Sequence, residues 1–217
     1  MRSDDTDASL SWEHRELAQA RIRDAACEVI TQRGLATTVE DVARQAGVSV
    51  RTVFRYYPTR DALLADAINE IRGRLGQPVA GLPDPAVDLD GWLLTIATEV
   101  HRRLTHDLGR AFWDLRVAEP DSPAARAESE AWHESRERGL RAVAEVAWAA
   151  AGGTGGPPRL VIEMFLLLFS PFTTQAMASD FGKTPEDTAA LAAKALKVLL
   201  VHAVEEHAPT VPVRSAT

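Results

Sequence analysis

Apolar residues recur along almost the whole chain at three- and four-residue spacing, and no alternating run bounded by turn pairs occurs, so the pattern predicts an all-α protein of about nine helices. Val39, Val42, Ala43 and Ala46 fall on one face of a short helix from Val39 to about Gln45. Ala46-Gly47-Val48 is a turn, with Gly47 free to take a positive φ. Ser49 opens a second short helix that Pro58 closes at about Tyr56 or Tyr57, with Val53 and Tyr57 facing inward. Thr59 caps a helix to about Leu75, whose inner face is Leu63, Leu64, Ala67, Ile68 and Ile71. Residues 76–87, GQPVAGLPDPAV, then break the pattern with three prolines and two glycines and mark a domain boundary. Beyond it the spacing predicts a helix from Asp90 to His106 on Trp92, Leu93, Ile96, Val100 and Leu104, and a shorter one from Leu108 to Ala118. A long helix runs from Ser122-Pro123 to Ala151, a stretch from Arg159 to Ser179 is bent or interrupted at Pro171, and a last helix runs from Thr184 to His207. The domains are therefore 10–76, with a helix-turn-helix over about 38–58, and 77–208; a tail over 209–217 is expected to be disordered.

Charge sharpens one part of this picture. The formal net charge is -7, yet from Val42 to Arg60 the chain holds Arg44, Arg51, Arg55 and Arg60 and no carboxylate. A cationic island on an acidic chain points to a local polyanion contact. Thr37 or Thr38 with Glu40 or Asp41 supplies a capping box for the first short helix. On the second, Ser49, Val50, Arg51, Thr52, Arg55 and Tyr56 lie around the outer face, an arrangement suited to a DNA groove. The same arginines could also be no more than the solvated face of a short amphipathic helix.

The segment TTVEDVARQAGVSVRTVFRYYPTR resembles the DNA-binding domain of the TetR family of transcriptional regulators. Before it, Arg21-Ile22, Ala25-Ala26, Gly34 and Thr37-Thr38 match that family's first helix and its exit; after it, Phe54-Arg55-Tyr56-Tyr57, Pro58-Thr59-Arg60 and Leu63 match its second landmark. The resemblance spans about residues 16–76. It implies DNA contacts from Thr38, Arg44, Ser49, Val50, Arg51, Thr52, Phe54, Arg55, Tyr56 and Arg60. Phe54 replaces the usual tyrosine, leaving packing or thymine-methyl contact in place of a hydroxyl. Arg60 replaces the usual lysine and is expected to anchor phosphate at the start of its helix.

A short reader makes few base contacts, so a homodimer on a roughly palindromic operator is expected, with recognition helices about 34–36 Å apart. The last two helical stretches suit the interface through Leu191, Ala192, Ala195, Leu196, Leu199, Leu200 and Ala203 on one and Ile162, Phe165, Leu166, Phe169, Phe172 and Met177 on the other. Both could instead only fill the monomer core. Trp92, Phe112, Trp113, Trp132, Trp148, Phe165 and Phe169 describe a candidate small-molecule pocket, with His101, His133, Glu99 and Glu163 as polar handles; they describe an ordinary core equally well. An apolar or flat effector would release the operator by altering the spacing of the two readers, with the Thr59–Leu75 helix as lever.

Other chemistry finds no foothold. There is no P-loop, dinucleotide glycine motif, nucleophile elbow or zinc pair, so no catalytic residue, cofactor or metal is expected. His202 and Glu206 share a helix face but sit on an exposed end. The lone cysteine, Cys27, excludes an internal disulfide and reads as a buried small hydrophobe. The acidic start MRSDDTDAS is neither a signal peptide nor a minor-groove arm, and the apolar stretch between Glu163 and Asp180 is too short and polar to span a bilayer. The expected function is a cytoplasmic transcriptional repressor released by a small apolar ligand. The alternatives are an activator of the same fold, or a helical ligand-binding protein or enzyme that does not bind DNA.

Overall fold

The computed structural model describes residues 3–108 and 123–207, with side chains from 15 to 106 and from 130 to 207. Among these residues there are nine α-helices and no strand: α1 Ser3–Arg33, α2 Val39–Ala46, α3 Val50–Tyr56, α4 Arg60–Leu75, α5 Leu89–Arg103, α6 Pro123–Ala150, α7 Arg159–Leu168, α8 Pro171–Ser179 and α9 Pro185–His207. The chain falls into two compact units, one holding α1 to α4 and, from beyond α5, His106, the other holding α5 to α9. The predicted helix at 108–118, with Phe112 and Trp113, and the tail at 209–217 lie outside the described residues.

In the first unit α1 packs against both α2 and α4, and α2 against α3. Ile22, Ala26 and Ile30 of α1, Val42 of α2, Val53 of α3 and Leu63 and Ala67 of α4 are buried together, the removal of apolar surface from water being the main favourable term. Cys27 belongs to this core, its thiol donating to the Ala67 carbonyl at 3.4 Å. Burial pushes that thiol up to about 11, which suits a packing role.

The second unit packs α9 along α5, α6 against α7, and α7 against α9. Its core is Trp92, Leu93, Ile96, Trp148, Val161, Phe165, Phe169, Leu196 and Leu200 with small alanines between them. Trp148 lies so close over Gly153 that a Cβ there would come within 2.1 Å of the indole. Pro171 does interrupt the 159–179 stretch. Ser170 caps α8 with its hydroxyl accepting from Thr173 N, and α7 and α8 meet at a bend of 51°. Asp88 caps α5, so that helix starts near the expected place, but it ends at Arg103 in a π-helical turn over Leu104–Leu108.

Candidate nucleic-acid interface

The turn between α2 and α3 is built from its caps. Thr38 caps α2 by accepting from Asp41 N at 3.2 Å, while Asp41 reaches back to Thr38 N and Thr38 Oγ1, completing the capping box. Asp41 also takes Arg33 at 2.6 Å and Arg44 at 3.2 Å. The Thr38 hydroxyl, and then Arg33 and Arg44, hold its carboxyl below the ordinary range. Gly47 sits at φ 64°, and a Cβ there would meet Nη2 of Arg21 at 2.9 Å. Ser49 then caps α3, its hydroxyl accepting from Thr52 N at 3.1 Å and lying 2.9 Å from Thr52 Oγ1.

α3 turns Val53 fully inward and ends on buried Tyr57, whose hydroxyl donates to Asp66 of α4 at 2.6 Å. Burial, then the Asp66 carboxylate, raises the Tyr57 phenol, keeping that donor protonated. With Val53 and Tyr57 fixed inside, Ser49, Arg51, Phe54 and Arg55 are exposed on the opposite side; Phe54 is 46% exposed, enough to touch an apolar group on a partner. Arg55 lies 5.0 Å over the Tyr56 ring and donates to its hydroxyl at 3.2 Å, so its guanidinium is held beside the face. Arg44 is exposed at the end of α2. Arg44, Arg51 and Arg55 thus form a cationic surface on two adjoining helices.

Four expected contact residues sit differently. Val50, Thr52 and Tyr56 are half-buried, and Val50 and Tyr56 pack on the core of this unit. Arg60 does not simply stand at the start of α4 awaiting an anion. Its Nε donates to the Thr37 carbonyl at 2.8 Å, Nη2 donates to the Leu35 carbonyl, and Nη1 lies 3.6 Å from Asp61. The fork that a lysine lacks ties α4 to the connection between α1 and α2. Spacing along the chain gave no signal of this, since the two carbonyls lie more than twenty residues upstream.

Residues 22–67 match the model of the bacterial regulatory proteins, tetR family. The likeness to that family is carried by these residues of the first unit. An uncharacterized HTH-type transcriptional regulator of Mycobacterium tuberculosis, found in two strains, is 31% identical over 112 residues, which are 51% of this chain and 55% of that protein. The chain spans about half the length of the curated relatives it matches. A tetR-family transcriptional regulator from Streptomyces coelicolor shares the fold with a TM-score of 0.59 at 15% identity, over 89% of this chain and 90% of that one. The transcriptional regulator FadR from Bacillus subtilis, solved in complex with stearoyl-CoA, does so with a TM-score of 0.56 at 19% identity, over 85% and 98%.

In the second unit the residues singled out for an effector separate. Trp92, Trp148, Phe165 and Phe169 are buried in the packed core, while Trp132 is half-buried beside exposed His133, rings 5.2 Å apart. Glu99 is already paired within its own helix. Arg102 and Arg103 grip it at 2.8 and 2.6 Å and hold its carboxyl at about 2. Glu163 is likewise taken by Arg159 at 2.6 Å. A cleft of about 550 Å³ between α6 and α7 is lined by Glu137, Arg141, Pro157, Arg159, Ile162, Glu163 and Leu166, none of them aromatic. His101 remains, fully buried on α5 with Nδ1 2.7 Å from Thr174 Oγ1.

The residues named for a dimer interface also need correction. Ile162, Phe165, Phe169, Ala192, Leu196, Leu200 and Ala203 are buried within the monomer. Of the residues named, Leu191 on α9 and Phe172 on α8 stay exposed, and the rest of the apolar surface of α7 and α9 is a different set: Leu160 and Leu167, one heptad apart, with Val198 and Val201. Helical periodicity finds an apolar helix, but on one that is apolar nearly all round it does not say which face its own chain takes. Among the described residues His202 and Glu206 stand 3.4 Å apart on exposed α9, and no three His, Cys, Asp or Glu gather to hold a metal. No single helix among them is long and apolar enough to cross a membrane.

Proposed function

We propose that this protein is a TetR-family regulator, a cytoplasmic homodimeric repressor that binds a roughly palindromic operator and leaves it when a small apolar molecule enters the α5–α9 unit. The observation that carries the DNA reading is the face of α3. Val53 and Tyr57 lock the helix in place, and Arg51, Phe54 and Arg55 are left outward beside Arg44, which pairs with Asp41 yet stays exposed. Arg44, Arg51 and Arg55 meet phosphate; Thr52 and Phe54 meet base edges; Thr38 and Ser49 hold the two helix starts against the backbone. The expected partner is double-stranded DNA.

Dimerisation through α7 and α9 is supported by Leu160, Leu167, Leu191, Val198 and Val201, which stay exposed although they are apolar. Two such faces about a two-fold axis make a four-helix bundle. Introducing Val198→Glu together with Leu167→Glu should convert the dimer to monomer in analytical ultracentrifugation and abolish tight operator binding. A double variant that sediments as the wild type would rule this interface out.

The effector reading draws support from the aromatic interior of the second unit and from the fold it shares with a regulator solved with stearoyl-CoA. DNase footprinting on the DNA flanking its own gene, with and without candidate ligands, tests the whole proposal. A protected palindrome that ligand erases is expected. Absence of any protected site would overturn the DNA reading.

A further inference from the structure

His101 is the one fully buried ionisable side chain of the α5–α9 unit among the described residues. It projects from α5 with Nδ1 2.7 Å from Thr174 Oγ1 on α8. Phe169 stands edge-on to the ring at 6.2 Å, and Phe165 is in turn edge-on to Phe169 at 5.6 Å. Among the described residues its other nitrogen, Nε2, is buried with no hydrogen-bond partner. Buried polar atoms are nearly always paired, so this one calls for a physical account.

The network around Thr174 fixes the proton. A threonine hydroxyl carries one hydrogen, and Thr174 Oγ1 lies 3.2 Å from the Ser170 carbonyl, to which it can only donate. Oγ1 must then accept from Nδ1–H. This arrangement makes two hydrogen bonds; the opposite tautomer makes one and buries an unmet N–H, the rarer defect. Burial alone pushes the imidazole down to about 4, so at neutral pH the ring is uncharged. Nε2 is therefore a bare lone pair in an aromatic setting.

We propose that Nε2 of His101 is the polar anchor for the small-molecule effector, and that this effector is an uncharged, apolar compound bearing a hydrogen-bond donor, a phenol or an alcohol. The inference rests on the ligand-released reading above and narrows it. A carboxylate would set acceptor against acceptor, and a metal would find too few of its usual side chains gathered among the described residues. A hydroxyl meets the lone pair while its carbon frame lies against Phe165 and Phe169.

The test uses the full chain labelled with 15N-histidine, with thymol and thymol methyl ether as probes. The two differ only in whether the oxygen carries a donor. In the free protein the His101 signal, assigned by its loss in His101→Gln, should show Nδ1 protonated and Nε2 bare. Thymol should move the Nε2 resonance and bind roughly ten- to a hundredfold more tightly than the ether, the range expected when a buried acceptor gains or loses its partner. His101→Phe should erase the preference while leaving apolar binding. Should that variant not fold, the wild-type spectrum and the ether comparison still decide. A protonated Nε2, equal affinity for the two probes, binding of neither, or thymol binding that leaves Nε2 unmoved would each overturn the assignment. Failure here leaves the operator footprint intact, whereas failure of the regulator reading removes the footprint whatever thymol does.

Discussion

Replacing Arg51 and Arg55 by glutamine removes positive charge from α3 while keeping long polar side chains, and both residues are exposed, so the fold should survive. Arg44, Arg51 and Arg55 give three outward guanidiniums per protomer and hence six per dimer. With about 0.9 counterions released per phosphate contact, six contacts predict a slope of log affinity against log salt near -5, and about a thousandfold loss of affinity between roughly 50 and 200 mM salt. Each single substitution removes two contacts per dimer and should flatten the slope by about 2. The double variant should flatten it by about 4, leaving the pair of Arg44 contacts. Fluorescence anisotropy on a labelled operator duplex over a salt series gives these slopes directly. If an arginine reads a base instead, its substitution weakens the cognate duplex by about 1–3 kcal/mol but barely changes affinity for a scrambled one, which the same titration separates. A wild-type slope shallower than about -2, or slopes unmoved in both variants, would refute the assignment of this face.

Gly47→Ala forces a side chain into a left-handed backbone and against Arg21, and should cost about 1–3 kcal/mol in urea denaturation; a cost near zero would mean the turn relaxes freely. Cys27, buried and with its thiol pushed up to about 11, should resist iodoacetamide in the native protein at neutral pH and react once the chain is denatured. His101 titrates at about 4 when folded against an ordinary 6.5, so the unfolded chain binds the extra proton first. Stability from this group is therefore complete above about pH 6.5, falls as pH drops toward 4, and loses on the order of 3 kcal/mol in full. His101→Phe should remove that part of the acid sensitivity in denaturation midpoints measured across this range.

The reader could be read from the chain because its cues are local. Thr38, Gly47, Ser49 and Pro58 each act within a few residues, so caps, turn and stop follow from neighbours alone, and α2 and α3 fall within a residue or so of where spacing puts them. What spacing did not reveal depends on distant partners. Arg60 is drawn to carbonyls on the far side of the α2–α3 hairpin, and Glu99 is consumed by two arginines one turn on. The second unit is harder for a further reason. A helix such as α9, with alanine, leucine or valine on most sides, offers two apolar faces, and only packing shows that Leu196 and Leu200 turn inward while Leu191 and Val198 do not. Aromatic content has the same ambiguity, for Trp148, Phe165 and Phe169 would look alike along the chain whether they walled a cavity or filled it.

The clasp from Arg60 to Leu35 and Thr37 closes the reader on itself. With the Tyr57–Asp66 contact, it staples both ends of the hairpin to the helix that follows. The surface proposed to face DNA therefore stands assembled before any duplex arrives, so docking would sacrifice little freedom and encounter would be governed by charge and orientation. The proposed effector would gain nothing by melting so firmly tied a piece, and the regulatory signal expected of it is one of displacement rather than of deformation.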